Sequence, residues 1–384
     1  MGVQLGKICR FQSGGTPSKS NPDYFGGSIP WITTTALTGS RISEKEAVDW
    51  ITEKAIMESA AKIVPANSIM VGTRVGVGKV AINTVEMSTS QDVISLLDID
   101  ETRWNKDFVS KFIQGKSVYL NSQARGATIK GIKIESLSNL IVPEIPLKEQ
   151  ILITNTLDCV LRIITAYQKQ IHELNELVKA RFVELFGRPA LNEKMWELHT
   201  IGEVCSKITD GEHQNPEFVE DGVPMVMANN VKDNAVSFEG CRYISESDYQ
   251  KFSKKCKPEK GDVLLVSRGA TIGRCCENNR EEDFSLMGSV ILLKRREIIT
   301  SSYLVNYLKN DDVRPLLYKT SSASAQQAIY IKDLSSRMIM LPPLNLQMHF
   351  SDFVSQVDKS KTVIQKALDE TQTLFDSLMQ QYFG

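Results

Sequence analysis

From Pro146 onward, apolar residues fall at every third or fourth position: Ile153, Leu157, Val160, Ile164, Tyr167, Ile171, Leu174, Val178, Phe182 and Leu185. Steps alternating four and three give the seven-residue repeat of a helix with one apolar seam. Pro146 suits the first helical turn, where its missing N–H costs nothing, and Gly187-Arg188-Pro189 ends the run. The pattern returns from Pro343, 197 residues later (343 − 146 = 197), as Phe350, Val354, Val357, Lys361, Ile364, Leu368, Thr371, Phe375, Leu378 and Tyr382. Identities along this offset include Leu147/Leu344, Gln150/Gln347, Lys169/Lys366 and Phe186/Phe383. Lys361 and Thr371 interrupt the second seam, as register-setting polar positions do in coiled coils. Runs of about 40 residues at 1.5 Å per residue predict rods of roughly 60 Å. A lone seam most often packs into its own domain; two equal seams predict helices that pair with each other, antiparallel.

The repeat continues upstream of each helix, more loosely. LGKIC (5–9) matches IGEVC (201–205), SNPDYFGGSIPWI matches QNPEFVEDGVPMV, and NSIMVGTRVGVGK matches GDVLLVSRGATIGR. IMVGTRV and DVLLVSR read as buried strands, and VISLLDI and VILLKRR as strands ending in charge. FVSKFIQG and YLVNYLKN read as short helices, with Gly-, Ser- and Asn-rich loops between. The predicted fold class is therefore mixed α/β (α+β). Two globular domains, residues 1–145 and 188–342, are separated by paired helices, 146–187 and 343–384. A pseudo-two-fold relation of this kind suits a target with two inverted half-sites.

The chain has 384 residues, 42% hydrophobic and 24% charged, with net charge −1. That balance argues against a free-standing, non-specific nucleic-acid binder. The seven cysteines include no C-x-x-C pair and no His at zinc spacing, so no metal site is expected, and buried reduced thiols of a cytoplasmic protein are. MGVQLGK lacks a signal-peptide core, Gly6 breaks the myristoylation pattern, and no apolar run spans a membrane.

Several motifs compete. GVGKVA (76–81), with Asp98 20 residues beyond Gly78, fits a dinucleotide fingerprint, but the second copy, RGATIGR, loses it. What both copies share is Thr73-Arg74 with Gly78-Lys79, and Ser267-Arg268 with Gly273-Arg274. Cations flanking a Gly-rich turn suit phosphate contact, or the turn is simply solvated. Before each helix lies a polar loop carrying Gln123, Arg125, Thr128 and Lys130 in one copy and Gln326 and Gln327 in the other. Gln can read adenine and Arg guanine; such a loop can equally be only a loop. A third region sets Thr33, Thr34 and Thr35 against Asn229 and Asn230, and Lys251, Lys254, Lys255 and Lys257 add phosphate candidates. Asp210 and His213 have no counterpart in the first copy and read as a turn stabiliser, so no catalytic residue is expected. NPDY (21–24) is one letter from the Asn-Pro-Pro-Tyr motif of amino-methyltransferases, yet its counterpart NPEF (215–218) also puts an acid at the third position. Both read as repeated turns anchored by an aromatic ring.

Taken in order and twice over, LGKICRFQSGGTPSKSNPDYFGGSIPWI, ITDGEHQNPEFVEDGVP, VGTRVGVGK with VSRGATIG, and the two P-L-x-x-Q helices resemble a specificity subunit (HsdS) of a type I restriction–modification system. The resemblance covers essentially the whole chain. It implies two target-recognition domains, each reading one part of a split double-stranded DNA site. It implies helices that set the spacing and dock two methyltransferase (HsdM) subunits, with restriction (HsdR) subunits completing the assembly. The chain would be non-catalytic and hold no cofactor; S-adenosylmethionine and ATP would sit on the partners. The competing readings are a DNA adenine methyltransferase in its own right and a coiled-coil scaffold without nucleic acid.

Overall fold

The computed structural model describes residues 2–125, 131–320 and 327–384. Both seams form uninterrupted 40-residue helices, Leu147–Phe186 and Leu344–Phe383. The chain divides into two compact units, one of residues up to Ala166 with Ala367–Gly384, the other Tyr167–Lys366. Each unit thus contains one head, the opening of the long helix that follows it, and the closing part of the other long helix.

In the first unit the main sheet runs in the order Arg10–Ser13, Val93–Leu97, Ile69–Gly72, Val80–Asn83, Arg41–Ile42, antiparallel except for the last pair. A smaller sheet joins Asp49–Ile51, Phe25–Ile32, Met87–Thr89 and Ile63–Val64. The three central strands of the main sheet are buried throughout because both faces are covered. Strand periodicity sorts the side chains. Ile69, Val71 and Leu96 meet Phe108 and Phe112 of the helix Lys106–Gly115, while Met70, Ala81 and Leu97 meet Ile32 and Met87.

The second unit repeats this plan. Its main sheet orders Cys205–Asp210, Val290–Arg295, Val263–Val266 and Cys275–Glu277, and its smaller sheet Phe218–Val219, Arg242–Ile244, Val223–Val226 and Ser285–Leu286. Val263 and Leu265 face the helix Ser301–Lys309, and Leu264 and Val266 face the other way. A two-stranded ribbon ties the start of each head to the segment before its long helix: Gly2–Gln4 with Ile141–Pro143, and Leu198–Thr200 with Met338–Met340.

Within each unit the long helices pair antiparallel. Ile153 and Leu157 share a core with Phe375, Leu378 and Phe383, and Leu174, Val178 and Phe182 share one with Phe350, Val354 and Val357. No position of either predicted seam is exposed. Each seam also continues into a head. Phe383 lies 5.2 Å from the Phe108 ring and 6.0 Å from Phe112, and Phe186 lies 4.8 Å from Tyr303.

The repeated Gln of P-L-x-x-Q explains how head and helix are joined. Gln150 accepts from the Asn105 N–H at 2.9 Å and donates to the carbonyls of Arg103 and Ile145, each at 2.9 Å. Gln347 accepts from the Thr300 N–H at 2.9 Å and donates to Ile298 and Pro342 at 3.2 and 2.8 Å. Asn105 and Thr300 are the residues that cap the head helices, so one amide fixes the cap and the long helix together. Four cysteines are buried, as expected of structural thiols, and burial pushes Cys275 up to about 11; Cys159, on the first long helix, is exposed instead.

Candidate nucleic-acid interface

Residues 73–79 and 267–274 each connect two antiparallel strands of a main sheet. Reversing the chain there requires positive φ, supplied by Gly76 (73°) and Gly78 (78°), and by Gly269 (95°) and Gly273 (78°). Neither turn leads from a strand into a helix, the geometry a dinucleotide loop needs. Asp98, the ribose candidate, is ion-paired to Arg10 at 2.6 Å.

Thr73 and Ser267, only 4% and 3% exposed, anchor the turns. Thr73 donates from its N–H (2.8 Å) and Oγ1 (3.1 Å) to the Asp92 carbonyl, and the Ser267 N–H donates to Ser289 O at 2.8 Å. Their own carbonyls accept the N–H of Ile132 (2.8 Å) and Ile329 (3.0 Å). The same bond therefore ties the turn to the loop preceding the long helix in both units. Arg125 closes that loop in the first unit by exchanging backbone bonds with Gly131 at 2.9 and 3.0 Å.

This framework gathers Arg74, Gln123 and Arg125 in the first unit, and Arg268 and Gln327 in the second; all five are exposed. Arg74 reaches the Asp92 carboxylate at 3.4 Å. Among the described residues Lys79 and Arg268 have no ion-pair partner, whereas Arg274 lies 3.4 Å from Asp233. Thr128, Lys130 and Gln326 lie outside the described residues.

The third region joins the same framework with two corrections. In the second unit Thr271 Oγ1 donates to Ala228 O at 3.4 Å, and in the first the Gly39 N–H donates to Val80 O at 2.7 Å. Thr33 and Thr35 share a 2.8 Å hydroxyl contact and Thr35 is exposed, but Thr34 is buried at 5%. Asn229 is exposed, whereas Asn230 is 1% exposed. Its Oδ1 accepts from Met227 N at 3.0 Å and its Nδ2 donates to Glu239 O at 3.1 Å, so its amide builds the loop instead of facing a ligand.

The lysine segment is largely occupied. Lys255 pairs with Asp210 at 2.9 Å, Lys257 with Asp283 at 3.8 Å, and Lys251 lies over the Phe252 ring. Asp210 also meets His213 Nε2 at 2.7 Å; burial would raise its carboxyl, but the Lys255 and His213 contacts outweigh it and hold it below the usual range. In NPDY, Asn21 Oδ1 accepts from Asp23 N at 3.2 Å, Asp23 pairs with Lys54 at 2.7 Å, and Tyr24 packs beside Trp31 and Ile51. Phe218 of NPEF packs beside Met225 and Ile244 under the Arg242 guanidinium. Both motifs are turns with an aromatic anchor. Sequence reading missed Asp92 and Asp233, which hold the turn cations from 18 and 41 residues away; nothing local marks them.

The family model described as Type I restriction modification DNA specificity domain matches residues 1–176 and again 193–371. The type I restriction enzyme MjaIX specificity subunit of Methanocaldococcus jannaschii is 23% identical over 391 residues, covering 95% of this chain and 88% of that one. The EcoBI specificity subunit of Escherichia coli is 22% identical over 319 residues, 75% of this chain and 67% of its own. The S subunit of the M. genitalium type I system superposes with a TM-score of 0.58 at 16% identity, covering 100% of this chain and 96% of that one. A chain solved in work on assembly and conformational transition of the type I R-M system gives 0.60 at 17%, covering 100% and 97%. These structural likenesses are of fold; the double family match agrees with the two heads and their repeated helices, and the chain belongs to the type I restriction modification DNA specificity family.

Proposed function

We propose that this chain is the non-catalytic, DNA-reading subunit of a type I restriction–modification complex, each head reading one part of a bipartite site. The observation that carries the reading is the duplicated framework. Thr73 and Ser267 hold equivalent turns through the same carbonyl bond, to Ile132 and Ile329. Around the shared Arg74 and Arg268 the exposed side chains differ: Lys79, Gln123 and Arg125 in one unit, Gln327 and Asn229 in the other. One scaffold with two sets of donors suits two different half-sites. Thr33, Thr35, Arg274, Thr128, Lys130 and Gln326 remain members of the proposed reading surface, while Thr34 and Asn230 shape it.

At net charge −1 the chain has no overall positive charge to offer phosphate, so partners contribute much of the electrostatic affinity. The long helices dock two methyltransferase subunits, which carry S-adenosylmethionine, and restriction subunits add ATP-driven cleavage. Helix length sets the gap between half-sites. No helix among the described residues is long and apolar enough to cross a membrane. Methylome sequencing of the host with and without the gene tests the reading: a bipartite methylated motif should vanish with the gene. Methyl transfer by the isolated chain, or binding with its partners that ignores sequence, would refute it.

A further inference from the structure

The second seam carries one buried cation. Lys361 is 9% exposed where the repeat places Ile164, 5% exposed, in the first helix (361 − 164 = 197). Its Nζ lies 2.6 Å from Asp358 Oδ1 on its own helix and 3.1 Å from Asn175 Oδ1 on the first long helix. The third partner comes from the head. Asn234 lies beside Asp358, Asp233 and Lys361: in one orientation of its amide the Nδ2 donates to Asp358 Oδ1 at 3.4 Å, and in the swapped orientation, which engages the ammonium, its Oδ1 accepts from Lys361 Nζ at 3.1 Å and its Nδ2 donates to Asp233 O at 2.9 Å. The Asp233 carbonyl also accepts from Lys309, and the Asp233 carboxylate faces Arg274 Nε at 3.4 Å. A polar chain, Lys361–Asn234–Asp233–Arg274, therefore runs inside the second unit from the helical seam to the turn. The first unit has Ile164 in its seam, and its turn cation Lys79 has no ion-pair partner among the described residues.

An ammonium has three N–H donors, and Lys361 has three acceptors. Its burial is thereby made tolerable, but a well-packed Ile would serve stability as well or better. What Ile cannot do is hold Asn234 and Asp233 in register with the seam. We propose that Lys361 is a positioning residue for DNA recognition by the second head, fixing Asp233 so that it orients Arg274. The inference rests on the reading of this chain as a bipartite DNA reader.

The test uses the chain assembled with its methyltransferase subunits and duplexes carrying single base changes in each half of the site mapped for the wild type. The half contacted by the second head is assigned by site-specific crosslinking to the duplex from position 268, on the exposed turn. Lys361→Ile should lower discrimination in that half by about tenfold, the size of one weakened contact, and leave the other half unchanged. Lys361→Arg should restore most of it. Asp233→Ala, at an exposed side chain that leaves the seam intact, should reproduce the loss even where Lys361→Ile disturbs folding. No change in that half for both variants, or an equal loss in both halves, overturns the inference. A wild type with no bipartite preference overturns the underlying reading, and the inference with it.

Discussion

Replacing Gln347 with Leu removes a side chain that is fully buried and makes three hydrogen bonds. The Thr300 N–H and the carbonyls of Ile298 and Pro342 are left facing an apolar group. A buried polar group stripped of its partner costs about 1–3 kcal/mol, so three predict a gross loss of at least about 3 kcal/mol. The extra apolar burial of Leu offsets about 1 kcal/mol, leaving about 2 kcal/mol or more. Hydrogen exchange read by mass spectrometry suits the measurement, because it reports each unit separately where a global melt would mix them. Peptides from Ser301–Lys309 should lose protection by that amount, while those from Lys106–Gly115 should not. Gln150→Leu should do the reverse, through Asn105, Arg103 and Ile145. A loss below about 0.5 kcal/mol in both variants would mean that water satisfies these groups, and the amide would not be the clamp described.

Phe186→Ala and Phe383→Ala should each cost about 3–5 kcal/mol, since both rings are buried against head-helix aromatics, and exchange should localise the loss to the second and first units respectively. Arg74→Ala and Arg268→Ala should each weaken DNA binding by the partnered complex and reduce the slope of log K against log salt by about 1 if each contacts phosphate. A change in base preference with an unaltered slope would make them base readers instead. Burial pushes the Glu277 carboxyl above its ordinary value of 4.5, with Arg295 opposing and Asp358 adding. Its ionisation therefore costs native stability as pH rises past 4.5. Glu277→Gln should be more stable than the wild type at pH 7 and indistinguishable from it below about pH 4; a lower melting temperature at pH 7 would refute the sign.

The helices were legible because a 3.5-residue period over ten positions leaves little freedom in which face is buried. The strands Ile69–Gly72 and Val263–Val266 were legible because continuous apolar runs between Gly- and charge-rich stretches have few other homes. The proposed recognition surface was only half legible. Thr33, Thr34 and Thr35 look alike as letters, and only the turn at Thr34–Ala36 decides that the middle hydroxyl points inward. Asn229 and Asn230 are adjacent and chemically identical, yet one is exposed and the other is consumed by Met227 and Glu239. Side-chain type reports capacity for hydrogen bonding, not whether the fold has already used it. Gln150 and Gln347 show the converse: the identity was visible, but their partners in the head lie 45 and 47 residues away.

The interleaving of the two units has a consequence for synthesis. The second unit, Tyr167–Lys366, is one contiguous stretch, whereas the first needs Ala367–Gly384 as well as residues up to Ala166. Its aromatic core is incomplete until Phe383 arrives beside Phe108 and Phe112. At about 5–20 residues per second, the roughly 200 residues between the two segments occupy the ribosome for about 10–40 s. Through that interval the first head must wait with Phe108, Leu157 and their neighbours uncovered, and the head that is translated first is the last to close.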